Sequence, residues 1–143
     1  MKMENQKKFA SKLFKSVTDD YPSVLGDKLL YLKSLIYEQA ELNPKVGEIE
    51  ESLKWGQLSY ASKNRSGTPV RLGIEKKSPG FFGLYVNCST TVIDDIKHIY
   101  GDRFQYDGNR GLLFNEQEIL PEDEIRHAID MTLCYHINKK RTD

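Results

Sequence analysis

The chain has no surplus of either charge. Its 143 residues include 21 Lys and Arg against 21 Asp and Glu, and its pI is about 6.8. That balance removes the broad electrostatic attraction by which proteins bind nucleic acid or anionic membrane surfaces, so neither is expected as a partner. Only two cysteines occur, Cys88 and Cys134, with neither C-x-x-C nor metal-ligand spacing, and they read as free thiols of a reducing compartment. No run approaches the ~18 apolar residues that a membrane span needs. Met1-Lys2-Met3-Glu4-Asn5 leads into charged residues rather than an apolar signal core, which predicts a cytoplasmic location. There is no internal repeat, low-complexity tract or Pro- or Gly/Ser-rich linker, so residues 1–143 are expected to form one domain. G-x-x-x-x-G-K-[ST], G-x-G-x-x-G and G-x-S-x-G are all missing, which excludes the familiar phosphate-cradling and nucleophile-elbow devices.

What is present is a change of period. Phe9, Ala10, Leu13, Phe14 and Val17 stand at helical spacing between lysines and predict a helix over Glu4 to Asp20, broken at Tyr21-Pro22-Ser23. Leu25, Leu29, Leu32, Ile36 and Ala40 form the clearest stripe in the chain, with Ser23 as the expected cap and Asn43-Pro44 as the stop. Val46, Ile49 and Leu53 predict a short helical piece from Lys45 to about Leu53. From Lys54 onward alternation takes over. Gln57 to Ser62, Thr68 to Lys76 and Phe81 to Cys88 read as strands, with turn chemistry at Asn64-Arg65-Ser66-Gly67 and Ser78-Pro79-Gly80. A helix follows from Thr91 to Gly101. A hairpin of Phe104 to Tyr106 and Leu112 to Asn115 turns at Asp107-Gly108-Asn109. The last helix starts after Leu120-Pro121 with three acids in its first turn and runs to about Lys139. This order predicts an α+β fold in which a small antiparallel sheet packs with N-terminal helices, a middle helix and a C-terminal helix.

Glu51 and the run Lys54-Trp55-Gly56-Gln57-Leu58-Ser59-Tyr60, following a helix, resemble the YdhG-like family, a bacterial group of domains of unknown function. The likeness continues through Ser66-Gly67-Thr68 with Arg71, then Cys88-Ser89-Thr90-Thr91, then Tyr106-x-Gly108-Asn109-Arg110, and closes with Tyr135-His136 and Lys139. It covers roughly residues 20 to 141, and several short motifs in register are more specific than any one of them. The family commonly has Pro where this chain has Leu58. The resemblance implies a compact α+β domain and, for one branch, frataxin-like intracellular iron handling.

Three chemistries are open to these residues. Lys54, Gln57, Arg71 and Arg110 bring cationic and amide donors close in sequence to Trp55 and Tyr60, with Tyr85, Tyr135 and His136 further along. Gathered on an open sheet face, they would form an aromatic-walled pocket for a carboxylate or phosphate. The competing explanation is that Trp55 and the tyrosines close the core while the arginines pair with Glu51, Glu75 or Asp107. On that reading the protein is a non-catalytic binding module for a small anionic or polar ligand, or for a protein partner, and needs no cofactor. The second chemistry is iron, which requires clustered carboxylates with imidazole. Glu122, Asp123, Glu124 and His127 supply one Glu-x-x-His, with Glu116 and Glu118 upstream and Glu48, Glu50 and Glu51 as another acidic group. Acids in a first turn, Asp94-Asp95 included, also serve the helix dipole without any further role. The third is cysteine catalysis, for which Cys88 with His136 is the nominal nucleophile–base pair and Arg110 or the Thr90 and Thr91 amides the stabilisers. His136 is expected near the middle of the core-facing side marked by Ile125, Ile129, Thr132, Leu133 and Ile137, and His127 on the opposite side.

Overall fold

The computed structural model describes residues 6–142. Helices α1 (Lys12–Thr18) and α2 (Ser23–Leu42) lead into strands β1 (Ile49–Lys54), β2 (Gln57–Ser62), β3 (Val70–Ile74) and β4 (Phe81–Tyr85). Then come α3 (Val92–Tyr100), a 3₁₀ turn (Gly101–Arg103), β5 (Gln105–Asp107), β6 (Gly111–Asn115), α4 (Glu122–Leu133) and α5 (Tyr135–Thr142). The strands form one antiparallel sheet in the order β1-β2-β3-β4-β6-β5. The fold is α+β, as the change of period predicts.

Alternation divides the sheet into two faces. Leu58 and Tyr60 of β2, Val70 and Leu72 of β3, Phe82 and Leu84 of β4, and Leu112 and Phe114 of β6 point to one side and are buried. The α2 stripe of Leu25, Leu29, Leu32, Ile36 and Ala40 joins them in a single core, with Phe14 of α1, Val92, Ile93 and Ile96 of α3, and Ile125, Ala128 and Ile129 of α4. On the other face, register places Ser52, Ser59, Arg71, Tyr85, Gly111 and Asp107 in one row across all six strands. Among the described residues no helix is long and apolar enough to cross a membrane.

Several local expectations are corrected. The first helix is shorter than predicted, because Ser11 caps it by accepting a bond from the Phe14 amide at 3.1 Å; Glu4 lies outside the described residues. Ser23 is the first residue of α2 rather than its cap, and Pro22 holds the cap position without a side-chain bond. Lys45 to Leu53 is not helical. Val46, Ile49 and Leu53 fit a helical face, but Ile49, Glu51 and Leu53 also alternate with Glu50, Ser52 and Lys54, and pairing with β2 selects the strand. The turn joining the two strands is Trp55-Gly56, with φ of +54° and +76°. Positive φ at both central residues is the requirement of a type I′ hairpin.

The last helix breaks at Cys134. Residues 66–68 lie against the break and take its backbone partners. Thr68 N–H donates to the Thr132 carbonyl at 3.0 Å, and Ser66 Oγ donates to the Leu133 carbonyl at 2.6 Å. The amides of His136 and Ile137 in turn donate to the Ser66 carbonyl at 2.9 and 3.1 Å. Gly67 between them has no room for a side chain: a Cβ would stand 2.1 Å from the Thr132 oxygen. The break resets the helical register, so His136 is exposed instead of facing the core, while Ile125, Ile129, Thr132 and Leu133 are buried as expected.

Candidate functional site

The sheet face opposite the helices carries a groove of about 490 Å³. Trp55, Gly56 and Gln57 line it from the β1–β2 hairpin, Glu75, Lys76 and Lys77 from the β3–β4 turn, and Arg71, Tyr85, Asp107 and Arg110 from the central row. Its floor is shaped by absent side chains. Gly73 and Gly83 are cross-strand partners, and the Tyr85 ring lies over Gly83 and Gly111 so closely that a Cβ at either would come within 2.6 Å of it. The ring is thereby held flat on the sheet and is only 6% exposed. Burial, with the nearby Glu75 and Asp107 charges, pushes the Tyr85 hydroxyl up to about 12, so it is a neutral donor at physiological pH.

Two arginines meet at the Val86 peptide. Arg71 Nη2 donates to the Val86 carbonyl at 3.0 Å, and the Val86 amide donates to the Arg110 carbonyl at 2.7 Å. Arg110 also pairs with Asp107 at 3.1 Å, which raises its pKa further. The Arg71 bond to Val86 and the Arg110 bond to Asp107 each engage part of a guanidinium that has five N–H donors in a fork matching carboxylate or phosphate. The groove lining holds four cations, Arg71, Lys76, Lys77 and Arg110, against two carboxylates, Glu75 and Asp107. A formally neutral chain thus carries a local excess of positive charge in this groove.

Of the residues nominated from sequence, the structure brings Trp55, Gln57, Arg71 and Arg110 together, and Tyr85 with them. Lys54 is paired with Gln57 at the hairpin end but is not among the lining residues. Trp55 does not close the core; it is 89% exposed. Tyr60, Tyr135 and His136 are elsewhere. Tyr60 sits on the core face, where alternation puts it one residue out of phase with Gln57 and Ser59. Tyr135 accepts a bond from the Thr91 amide at 3.2 Å at the start of α3, and its contacts with Thr91 lower its pKa. His136 lines a separate shallow hollow with Lys45, Asn64 and Arg65.

Of the residues nominated for iron, Glu122, Glu124 and His127 have other partners. Glu122 accepts from Tyr31 at 2.6 Å and pairs with Arg126 at 3.0 Å, Glu124 pairs with Arg103, and His127 Nδ1 shares a 2.6 Å bond with the Tyr100 hydroxyl. Among the described residues no three His, Cys, Asp or Glu side chains gather where they could hold a metal ion. Cys134 is buried between Asn43 and Asp130, and burial pushes its thiol up to about 11. Cys88 is exposed on the loop after β4, while His136 belongs to the hollow beside Asn64.

Comparison of the chain with family models, with curated proteins and with solved structures finds no match.

One cluster was not nominated from the sequence as a unit. Lys33, 3% exposed in the middle of α2, pairs with Glu51 of β1 at 2.8 Å and also donates to the Phe9 carbonyl. Its Nζ lies 5.4, 5.6 and 5.7 Å from the ring centres of Phe14, Tyr37 and Tyr60. Glu51 accepts from Ser11 at 2.6 Å and from Tyr60 at 2.8 Å. Burial works to raise the Glu51 pKa, but the bonds from Lys33, Ser11 and Tyr60 outweigh it and hold the carboxylate below its ordinary value. The same burial and the Glu51 bond drive the Tyr60 hydroxyl far up. The signal was available: Lys33 lies four residues after Leu29 and three before Ile36, on the buried stripe, and Glu51 lies between Ile49 and Leu53 on the inward side of β1. This cluster joins the N-terminal segment, α2 and the sheet, on the face away from the groove.

Proposed function

We propose that the protein is a non-catalytic binding module of the YdhG-like type that takes a small anionic ligand in the groove on the open sheet face. The observation that supports this most is the convergence of Arg71 and Arg110 beside Tyr85 in a concavity with a local excess of positive charge, within a chain of zero net charge. Both arginines lie in segments that carry the family resemblance. A groove of this size falls in the ~300–1,000 Å³ range of small-molecule sites. In the proposed role Arg71 and Arg110 grip the anionic group through paired N–H donors, the neutral Tyr85 hydroxyl adds a donor at the floor, and the Gln57 amide orients the rest of the ligand.

The test is a thermal-shift screen of the full chain against phosphorylated and carboxylated metabolites, with chelator-treated protein and ferrous iron run alongside. A ligand at ~100 times its Kd adds about 2.7 kcal/mol, which is several degrees for a domain of this size. Arg71→Ala and Arg110→Ala are expected to abolish the shift. Arg71→Gln, which retains a donor for the Val86 carbonyl, separates loss of binding from loss of stability. A metabolite shift that survives both alanine variants, or a shift with iron alone, would overturn the proposal.

A further inference from the structure

The hairpin tip at Trp55 is built against local preference. A type I′ turn favours Asn-Gly or Gly-Gly because both central residues need positive φ, and a bulky aromatic there is a rare outlier. Trp55 nonetheless occupies the first central position at φ +54°, with almost its whole surface in solvent. It contributes nothing to the core, so the strain is not offset by burial. Outliers of this kind gather at ligand sites, where the surrounding structure holds a side chain in place for a partner. Here the surrounding structure is the groove, of which Trp55 forms one end, with Tyr21 from the α1–α2 connection also on its wall.

Building on the anion-binding reading above, we infer that the ligand carries a planar aromatic or heteroaromatic ring stacked on Trp55, with its anionic group held by Arg71 and Arg110. A nucleoside monophosphate has this chemistry. Dimensions agree with it. Register puts the Trp55-Gly56 tip about three residues, roughly 10 Å, along the strands from the row that holds Ser59, Arg71 and Tyr85, with Arg71 one strand away from β2, so that Trp55 and Arg71 border the same groove at a nucleotide's reach. An indole face is the strongest stacking platform among side chains, and a single stacked base contributes enough binding to be read as a ring preference. The Gly73–Gly83 pair leaves the floor between the two ends low, with Gln57 reaching over Gly73 to meet polar atoms of the ring or sugar.

The experiment is calorimetric titration of the full chain with each of the four ribonucleoside monophosphates and with ribose 5-phosphate, which keeps the phosphate and lacks the ring. The same titrations are run on Trp55→Asn, a variant that suits the turn and so keeps the hairpin. In the wild type at least one nucleotide is expected to bind roughly tenfold or more tightly than ribose 5-phosphate, as stacking of one base implies. Trp55→Asn should remove that preference while leaving ribose 5-phosphate affinity within about twofold. Fluorescence of the single tryptophan should quench with nucleotide and not with ribose 5-phosphate. Equal affinity for nucleotide and sugar phosphate, or a preference that survives Trp55→Asn, overturns the stacking inference and leaves the anion reading standing. Absence of binding by all five compounds, together with silence across the metabolite screen, overturns both.

Discussion

Lys33 and Glu51 form a buried ion pair whose surroundings decide its worth. Removing two charges from water costs several kcal/mol per ion, and attraction between them recovers this only when the remaining donors and acceptors are satisfied. Here they are: Glu51 accepts from Ser11 and Tyr60 as well as Lys33, and Lys33 also reaches the Phe9 carbonyl and three ring faces. Breaking one side should therefore be far worse than removing both. Glu51→Gln is expected to cost about 3–5 kcal/mol, because it strands a buried ammonium, whereas Lys33→Met combined with Glu51→Gln should recover most of that. Urea unfolding of the two single variants and the double variant measures the coupling; additive losses would refute it. The pH dependence follows from the same contacts. The folded Glu51 pKa lies below its unfolded value, so the stabilisation is fully present above the unfolded value near 4.3. It is lost as pH falls through the lower, folded value. Acid unfolding of the wild type should steepen below about pH 4, and Lys33→Met should flatten that limb.

At the scale of elements, the structure departs from the sequence reading where local spacing admits two periods or where a distant segment intervenes. The α2 stripe and the alternation of β3 were legible because a single period accounts for each. The Lys45 to Leu53 stretch was not, since its apolar residues satisfy both a helical and a strand pattern and only pairing across Trp55-Gly56 decides. The break at Cys134 was invisible for another reason: nothing near Cys134 is a helix breaker, and the partners that stabilise the break come from Ser66-Gly67-Thr68, over sixty residues earlier. Gly67 is thus a packing residue shared by two elements. Gly67→Ala would drive a Cβ into the Thr132 and Leu133 backbone, at 2.1 to 2.4 Å, and neither backbone has freedom to yield. The expected loss is about 1–3 kcal/mol, in line with overpacking, with release of the helix after Leu133. Hydrogen exchange of the His136 and Ile137 amides, which bond the Ser66 carbonyl, reads that release directly. The hairpin tip makes the opposite prediction. Trp55→Asn gives the Asn-Gly pair that a type I′ turn favours, so it should stabilise the protein by about 0.5–1 kcal/mol. An unchanged or lower Tm would show that Trp55 has a structural role beyond the hairpin turn. Of the site itself, Arg71, Arg110, Trp55 and Gln57 were legible from residue type and proximity. Tyr60 was misplaced because its inward phase on β2 depends on the sheet, and Tyr135 and His136 because their placement depends on the break.

For the whole molecule the sheet does two jobs with two faces. One face is closed by α1–α4 around a single core, and the other presents a row of polar groups, glycines and a flattened tyrosine at its centre. That division makes the electrostatics of binding a property of one place rather than of the chain. With no net charge, the protein as a whole offers little long-range attraction for anions, whereas the groove carries a local excess of cations. Binding of a phosphate there should accordingly weaken with salt at short range: screening lengths fall from about 10 Å at 0.1 M to about 3 Å at 1 M ionic strength. Affinity of the wild type for a sugar phosphate is expected to drop several-fold between those salt concentrations, and Arg71→Ala should be both weaker and less salt-dependent. Ligand charge gives a second axis. A phosphate monoester gains its second charge as pH rises through about 6, so affinity for the groove should increase from pH 5 to pH 7 and then level off. The depressed pKa of Glu51 does not interfere, because that carboxylate is fully charged across this range and lies on the other face of the sheet. Titrations over this grid of salt and pH separate recognition by the groove from unspecific adsorption. Affinity indifferent to both salt and phosphate charge would mean that the cations around Arg71 and Arg110 are surface decoration and that the ligand is held by something else.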